Sequence, residues 1–185
     1  MELLNSTIKD LYIIQQKKSC DPRGSFFKFF TSVEFKRFEL ETDFKEVFVS
    51  VSKINTIRGM HFQLPPFEQD KVVTVLKGKI LDVVLDLRVN SPTYGKFEEF
   101  ILTDDEPASL YVGKGLAHGF LSLKDNSMVC YLSSEIYNPG SDSGIKWNSF
   151  GFDWGVKSPI VSERDTSLPL FKKFDSPFLM RGNQW

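Results

Sequence analysis

The sequence predicts a mainly β chain folded as a sandwich or barrel, and three observations carry that prediction. Val47, Val49 and Val51 alternate with Phe48, Ser50 and Ser52, the period of a pleated strand with two unlike faces. Turn signals such as Lys77-Gly78-Lys79 and Lys124-Asp125-Asn126-Ser127 separate short apolar runs, at the roughly 8- to 12-residue spacing of all-β folds. The 18 phenylalanines among 185 residues supply a core and favour strands over helices. A chain of this length suits one compact domain, 1–185.

Taken in order, Ile8 to Gln15 reads as a first strand, and Lys17 to Gly24 as a polar turn. Ser25 to Phe30 is a second strand, and Ser32 to Glu41 a short helix. Glu46 to Ser52, Ile57 to Gln63, Lys71 to Leu76 and Ile80 to Leu87 follow as strands, the last two joined by a hairpin at Gly78. Phe97 to Leu102, Ser109 to Val112, Gly119 to Leu123 and Met128 to Leu132 complete the set. These runs make 46–137 the barrel. Beyond Tyr137, Pro139, Pro159, Pro169 and Pro177 interrupt any regular pattern. The stretch 138–185 is therefore expected to be irregular and partly helical, and to wrap the barrel.

Charge and composition exclude several classes. Net charge is −1 with acids and bases interspersed, so there is no basic stripe for nucleic acid and no membrane-binding face. No apolar run approaches the ~20 residues that span a bilayer, and the N-terminus lacks the basic start of a signal peptide. Cys20 and Cys130 stand alone, without CxxC spacing, which suits free thiols in a reducing compartment. A cytoplasmic location is expected.

The chemistry concentrates around Arg58-Gly59-Met60-His61-Phe62-Gln63, which sets polar side chains into a segment that otherwise reads as buried strand. Buried polar groups are costly unless they line a site. His61 shares a strand face with Gly59 and Gln63 by alternation. His61 fits a polar cavity, and equally a core histidine bonded to one carbonyl. Lys71 opens the next strand, where an ammonium suits a developing oxyanion; a solvated strand end is the bland alternative. His118 sits in Gly113-Lys114-Gly115-Leu116-Ala117-His118-Gly119, half of the pattern that holds metal in cupin barrels. The HxH half is missing, and two histidines without a nearby carboxylate make a poor metal site. The expectation is a metal-free, cupin-like site. Tyr131 is a candidate general acid or a core aromatic. Asp165 is a candidate partner for His61, or the N-cap of a turn. Arg23 and Arg58, each before a glycine, suit a diphosphate or the open surface.

These segments together resemble the dTDP-4-dehydrorhamnose 3,5-epimerase family, from about Asp21-Pro22-Arg23-Gly24 to Ser162-Glu163-Arg164-Asp165. The stretches that match are the Arg58 to Gln63 run, Lys71, Leu81-Asp82-Val83-Val84-Leu85-Asp86-Leu87-Arg88 and Ser91-Pro92-Thr93-Tyr94-Gly95. Ala117-His118-Gly119-Phe120, Tyr131, Tyr137-Asn138-Pro139 and Ile145-Lys146-Trp147-Asn148 match as well. The resemblance implies a cupin-type jelly-roll barrel, no cofactor or metal, and a nucleotide-diphosphate sugar as substrate. It also implies a homodimer that exchanges N-terminal strands within 1–45. His61 would then be the base, Asp165 its partner, Tyr131 the opposing acid and Lys71 the support for the enolate oxygen. Arg23, Lys28, Arg58, Gln63, His118, Tyr137, Asp142 and Arg164 would line the substrate site.

The chain departs from that family at four places. Lys28 stands for a usual glutamate, Glu46 and Phe48 for glutamine and asparagine, and Gly113 for proline. The first three belong to substrate and nucleotide contacts. They lead us to expect a 4-keto-6-deoxy hexose or heptose carried by GDP or CDP rather than dTDP. Gly113 is expected to change loop stiffness alone. The rival readings are a C3-only epimerase or ketoisomerase on the same scaffold, a non-catalytic sugar-binding cupin, and a metal-dependent cupin oxygenase.

Overall fold

A computed structural model describes residues 1–180. Thirteen strands occur among the described residues, eleven of them in two facing sheets. In chain order they are β1 (Glu2–Asn5), β2 (Leu11–Gln15), β3 (Ser19–Asp21), β4 (Gly24–Phe26), β5 (Glu46–Ser52), β6 (Ile57–Gln63) and β7 (Lys71–Lys77). After them come β8 (Lys79–Asp86), β9 (Phe97–Thr103), β10 (Ala108–Val112), β11 (Leu116–Ser122), β12 (Ser127–Ser133) and β13 (Asp142–Gly144). One sheet runs β1-β2-β10-β7-β12-β5 and the other β13-β6-β11-β8-β9, with the β3–β4 hairpin standing apart. This is the mainly β, jelly-roll architecture that the sequence predicts.

Each sheet has one face toward the other sheet and one toward a cover. Val73, Val75, Leu110 and Val129 of the first sheet meet Ile80, Val84, Leu116 and Phe120 of the second in the inner core. The outer face of the first sheet, with Ile14, Val72 and Leu132, is closed by helix α1 (Ser32–Arg37) through Phe35, aided by Phe29, Phe30 and Phe44. The outer face of the second, with Val83, Leu85 and Ala117, is closed by Ile145, Phe150, Trp154 and Phe178 from the tail. The aromatic abundance is thus used mainly on the two outer faces.

The tail does more than cover. Met60 and Ile145 exchange two backbone hydrogen bonds at 3.1 and 2.9 Å, and the Ile57 N–H donates to the Ile160 carbonyl at 2.9 Å. The tail is therefore zipped along the free edge of β6, an edge that would otherwise present unpaired backbone. It then forms α2 (Glu163–Ser167), where Ser162 is the N-cap and accepts the Asp165 N–H at 3.1 Å. The N-cap alternative for Asp165 is thereby replaced by Ser162.

Several expected elements differ. The first strand is shorter, starting at Leu11, because Asp10 adopts a left-handed φ of 63°. Three short strands, β1, β3 and β13, appear where none was expected. Strand β4 ends at Phe26, and α1 stops at Arg37, two residues before Glu39 with its φ of 60°. The motif Asp86-Leu87-Arg88 with Ser91 and Thr93 is a structural clasp. Arg88, 1% exposed, binds both Asp86 oxygens at 2.9 Å and reaches Asp10 at 2.7 Å and the Lys9 carbonyl at 2.9 Å. Ser91 and Thr93 donate to the same Asp86 oxygen at 2.6 and 2.7 Å. Gly113 matters beyond stiffness. Its N–H donates to the Asp10 carbonyl at 2.9 Å, a bond proline cannot make.

One irregularity positions the site. Strand β6 slips against β11 between His118 and Phe120, so that His118 faces His61 but Phe120 faces Arg58. The bulge breaks the alternation expected for β6. Ile57, Met60 and Phe62 turn to the outer core, whereas Arg58, His61 and Gln63 line the interior. Gly59 is required here, with φ of 134°, and a Cβ on it would lie 2.5 Å from the Gly119 Cα. Gly59→Ala is expected to cost about 3 kcal/mol or more of stability, through overpacking and backbone strain together. Thermal unfolding of the variant against the parent protein checks this.

Candidate active site

The interior of the barrel opens as a cavity of about 810 Å³ between β5, β6, β7, β11 and β12, with Tyr137 of the loop after β12, Asp142 of β13 and Arg164 of α2 at its mouth. Inward-facing positions on these strands supply its walls, which is why the polar residues interrupt otherwise apolar runs.

His61 lies at the centre. Its Nε2 is 2.7 Å from Asp165 Oδ1. An ionised carboxylate only accepts, so Nε2 carries the hydrogen and Nδ1 keeps the lone pair. Asp165, buried, also accepts the Gly59 N–H at 3.1 Å and an Arg164 N–H at 3.2 Å. Burial pushes this carboxyl up, but the bond and charge of His61, the Gly59 amide and Arg164 outweigh it and hold it below its ordinary value. Burial also pushes the His61 imidazole down, as do Arg164 and Lys71, and Asp165 offsets only part of this. The ring is therefore a neutral base at neutral pH.

Lys71 opens β7 and is buried, which lowers its ammonium to about 8; Asp142 opposes this and Arg164 adds to it. No ion pair engages it among the described residues. It is a desolvated cation close to losing its proton, suited to developing negative charge. Tyr131 faces the cavity from β12, 7% exposed. Burial holds its phenol well above the ordinary value, with Ser50 and Arg58 opposing and Asp82 adding. It stays protonated and able to donate.

Around these four runs a charged ladder. The Tyr137 hydroxyl donates to Asp142 at 3.3 Å, Arg164 binds the same Asp142 oxygen at 2.6 Å, and Arg164 continues to Asp165. Arg58 reaches Ser52 Oγ at 3.0 Å and the Val51 carbonyl at 3.3 Å, and remains exposed at the cavity wall. His118 Nε2 is 2.7 Å from Asp82 Oδ2, a second histidine–carboxylate pair with Asp82 fully buried.

The geometry brings together His61, Lys71, Tyr131, Asp165, Arg58, His118, Tyr137, Asp142 and Arg164. It revises the expectation for three others. Gln63 lines the wall, but its amide is spent on protein. Nε2 donates to Phe67 O, Gln69 Oε1 and Ile136 O, and Oε1 accepts the Asn138 N–H at 2.6 Å. It pins the loops on either side of the opening. Arg23 sits at the tip of the β3–β4 hairpin, paired with Asp21 at 2.6 Å, and Lys28 lines a separate small cleft with Phe26 and Glu34. Both lie outside this chain's cavity, Arg23 because that hairpin stands off the barrel and Lys28 because it follows the hairpin toward α1.

Sequence reasoning missed Asp82 and Ser50. The signal for Asp82 was present, a lone acid within Ile80-Leu81-Asp82-Val83-Val84-Leu85. In the sequence it is one residue of the Leu81 to Arg88 match, with no role of its own. The departures also gain contacts: the Glu46 carboxylate accepts the Tyr137 N–H at 3.0 Å, and Phe48 packs on Tyr131.

A jelly-roll cavity holding a carboxylate-oriented imidazole, a desolvated ammonium and a protonated phenol defines an acid–base enzyme. The family model for dTDP-4-dehydrorhamnose 3,5-epimerase matches residues 5–173. A dTDP-4-dehydrorhamnose 3,5-epimerase of Mycobacterium tuberculosis is 42% identical over 159 residues, covering 82% of this chain and 78% of that one. A Streptomyces niveus relative named dTDP-4-dehydrorhamnose 3-epimerase is 34% identical, over 89% of this chain and 81% of its own. The solved Legionella pneumophila dTDP-6-deoxy-D-glucose-3,5-epimerase, in complex with dTDP-4-keto-L-rhamnose, superposes with a TM-score of 0.91 at 29% identity, covering 97% of this chain and 99% of that chain. The chain belongs to the dTDP-4-dehydrorhamnose 3,5-epimerase family, and is an isomerase.

An NMR titration of His61 should give a pKa below 6.5. In Asp165→Asn it should fall further, because the carboxylate that favours the imidazolium is removed while burial stays. An unchanged or raised value would contradict the arrangement.

Proposed function

We propose that this enzyme inverts C3 and C5 of a nucleotide-diphosphate-linked 4-keto-6-deoxy sugar, through enolates and without a cofactor. The observation that carries the reading is the 2.7 Å bond from His61 to Asp165 in a cavity that also holds Lys71 and Tyr131. Protons at C3 and C5 are both alpha to the C4 carbonyl. His61 Nδ1 removes one, and the electron pair moves to the carbonyl oxygen, where Lys71 stabilises the enolate. Tyr131 gives its proton to the opposite face of the carbon, which inverts it. Imidazolium and phenolate then exchange with solvent to restore both groups. Asp82 would hold the ring of His118 at the sugar or phosphate, as a positioning residue, and Arg58 and Arg164 would meet the diphosphate.

A second reading, inversion at C3 alone, is favoured by the kinship with the Streptomyces niveus 3-epimerase. The same groups serve both, and the readings separate by whether C5 exchanges.

The nucleotide is inferred to be GDP or CDP. Glu46 lines the cavity, and a carboxylate only accepts hydrogen bonds. Guanine and cytosine each offer an exocyclic amino group. Thymine offers one ring N–H between two carbonyl oxygens that a carboxylate repels. We further infer a homodimer. The exposed β3–β4 hairpin, with Phe26 62% exposed, and the exposed outer side of edge strand β5 at Val47, Val49 and Val51 suit a second copy. In that arrangement, Arg23 and Lys28 would reach the partner's cavity. In the single chain, β2 pairs with the chain's own β10 and β1 with β2, which leaves the hairpin as the reaching element.

Incubation with a panel of dTDP-, GDP- and CDP-linked 4-keto sugars in deuterated water tests both parts. We expect deuterium at C3 and C5 of the product, with GDP- or CDP-sugars turned over at least tenfold better than the dTDP-sugar. Label at C3 alone supports the second reading, and equal use of dTDP-sugar removes the nucleotide proposal. The pH profile of kcat/KM should be bell-shaped. Activity falls on the acid side as His61 gains its proton, below 6.5, and on the alkaline side near 8 as Lys71 loses its own.

A further inference from the structure

We propose that Phe48 is a positioning residue for Tyr131, fixing the plane of the phenol so that its proton reaches the face of the enolate opposite His61. This rests on the reading of Tyr131 as the acid. It gives a role in the reaction to a position that the family resemblance assigns to substrate and nucleotide contacts.

Phe48 on β5 and Tyr131 on β12 are directly opposite in the register of the two strands. Their rings stack nearly parallel, with centroids 4.7 Å apart and planes 13° from each other. Such cross-strand aromatic pairs hold each other's orientation. The His118 ring approaches the phenol edge-on, at 6.1 Å and 72°. The hydroxyl is 3.4 Å from Ser50 Oγ, one inward position along β5 from Phe48. The phenol therefore has a stacked face, a flanking edge and a tethered oxygen, and two of those three come from β5.

The remaining side of Phe48 is open. The residue keeps 44% of its surface exposed and lines the cavity. A ring spent at a rim adds little to the core, and its replacement leaves the barrel packing intact. The usual asparagine at this position has no ring to lay against the phenol and would bring a polar amide beside it. In this chain the stack keeps water from one face of Tyr131 and restricts the rotation that would swing the hydroxyl off its line to the substrate carbon.

The consequence separates two steps of one reaction. Proton removal by His61 does not use Phe48. Proton return by Tyr131 does. When return to the opposite face is slowed, the His61 imidazolium exchanges its proton with solvent and reprotonates the enolate from its own side, and the sugar regains its original configuration with solvent hydrogen. The ratio of exchange without inversion to inversion is thus the quantity that Phe48 controls.

The test uses the full chain with its best nucleotide sugar in deuterated water, following deuterium in recovered substrate and in product. For Phe48→Asn, inversion should fall roughly tenfold while total exchange changes less than about twofold, so that label accumulates in unconverted substrate. Phe48→Tyr, which keeps the ring, should restore the parent ratio. Exchange and inversion falling by the same factor in Phe48→Asn would overturn the proposal, as would a ratio equal to the parent's or a failure of Phe48→Tyr to restore it. A rise in KM alone would assign Phe48 to substrate contact and also overturn it. Tyr131→Phe serves as the control. If it inverts as fast as the parent, Tyr131 is not the acid and the underlying reading fails, whatever Phe48 does.

Discussion

The hydrogen bond between His61 and Asp165 is the constraint on which the site depends. It joins residues 104 positions apart in the chain, so it exists only when the tail has returned to the barrel. Three features serve it. The bulge in β6 turns His61 inward beside Arg58. The tail pairs along the edge of β6 and delivers α2 to the same place. Ser162 caps α2 and orients Asp165 through its N–H. The Gly59 amide, freed from the ladder by the bulge, completes the carboxylate's coordination. The irregular strand and the wrapping tail are therefore parts of one device, which sets the tautomer of a base.

The electrostatics follow from where these groups are buried. A neutral imidazole and an ammonium that holds its proton only up to about pH 8 both arise from desolvation. The two arginines at the cavity wall are tied down: Arg164 to Asp142 and Asp165, Arg58 to Ser52 and Val51. Their positions are set before a ligand arrives, which limits the cost of ordering them. The walls are also held from outside. Gln63 links the two rim loops, and the Arg88 clasp anchors the segment before β2 to the end of β8. Preorganisation here is distributed over the cavity wall and over side chains outside it, such as Arg88.

Much of this was legible in the sequence. Strands with alternating residues and clear turns, such as β5, β7, β8 and β12, lie close to where their patterns place them, because sheet period and turn chemistry are local properties. Strand β6 is instructive. Its existence was readable, but its faces were not, since a bulge shifts the period by one and leaves no composition of its own apart from Gly59 and Gly119. The short strands β1, β3 and β13 escaped because their pairing partners, not their residues, make them strands. The partnership of His61 with Asp165 came from resemblance; no spacing rule reaches across 104 residues. Asp82 was visible as an acid in an apolar strand, and Phe48 as a departure from the family. What Phe48 touches depended on register, which sequence does not display.

The most direct test of the account is solvent-deuterium exchange into the nucleotide sugar by Asp165→Asn, with folding verified by its unfolding temperature. If Asp165 sets the His61 tautomer, exchange should fall by roughly 10³-fold or more with little change in KM, as when other oriented histidine bases lose their carboxylate. Exchange at the parent rate in a folded Asp165→Asn protein would contradict it.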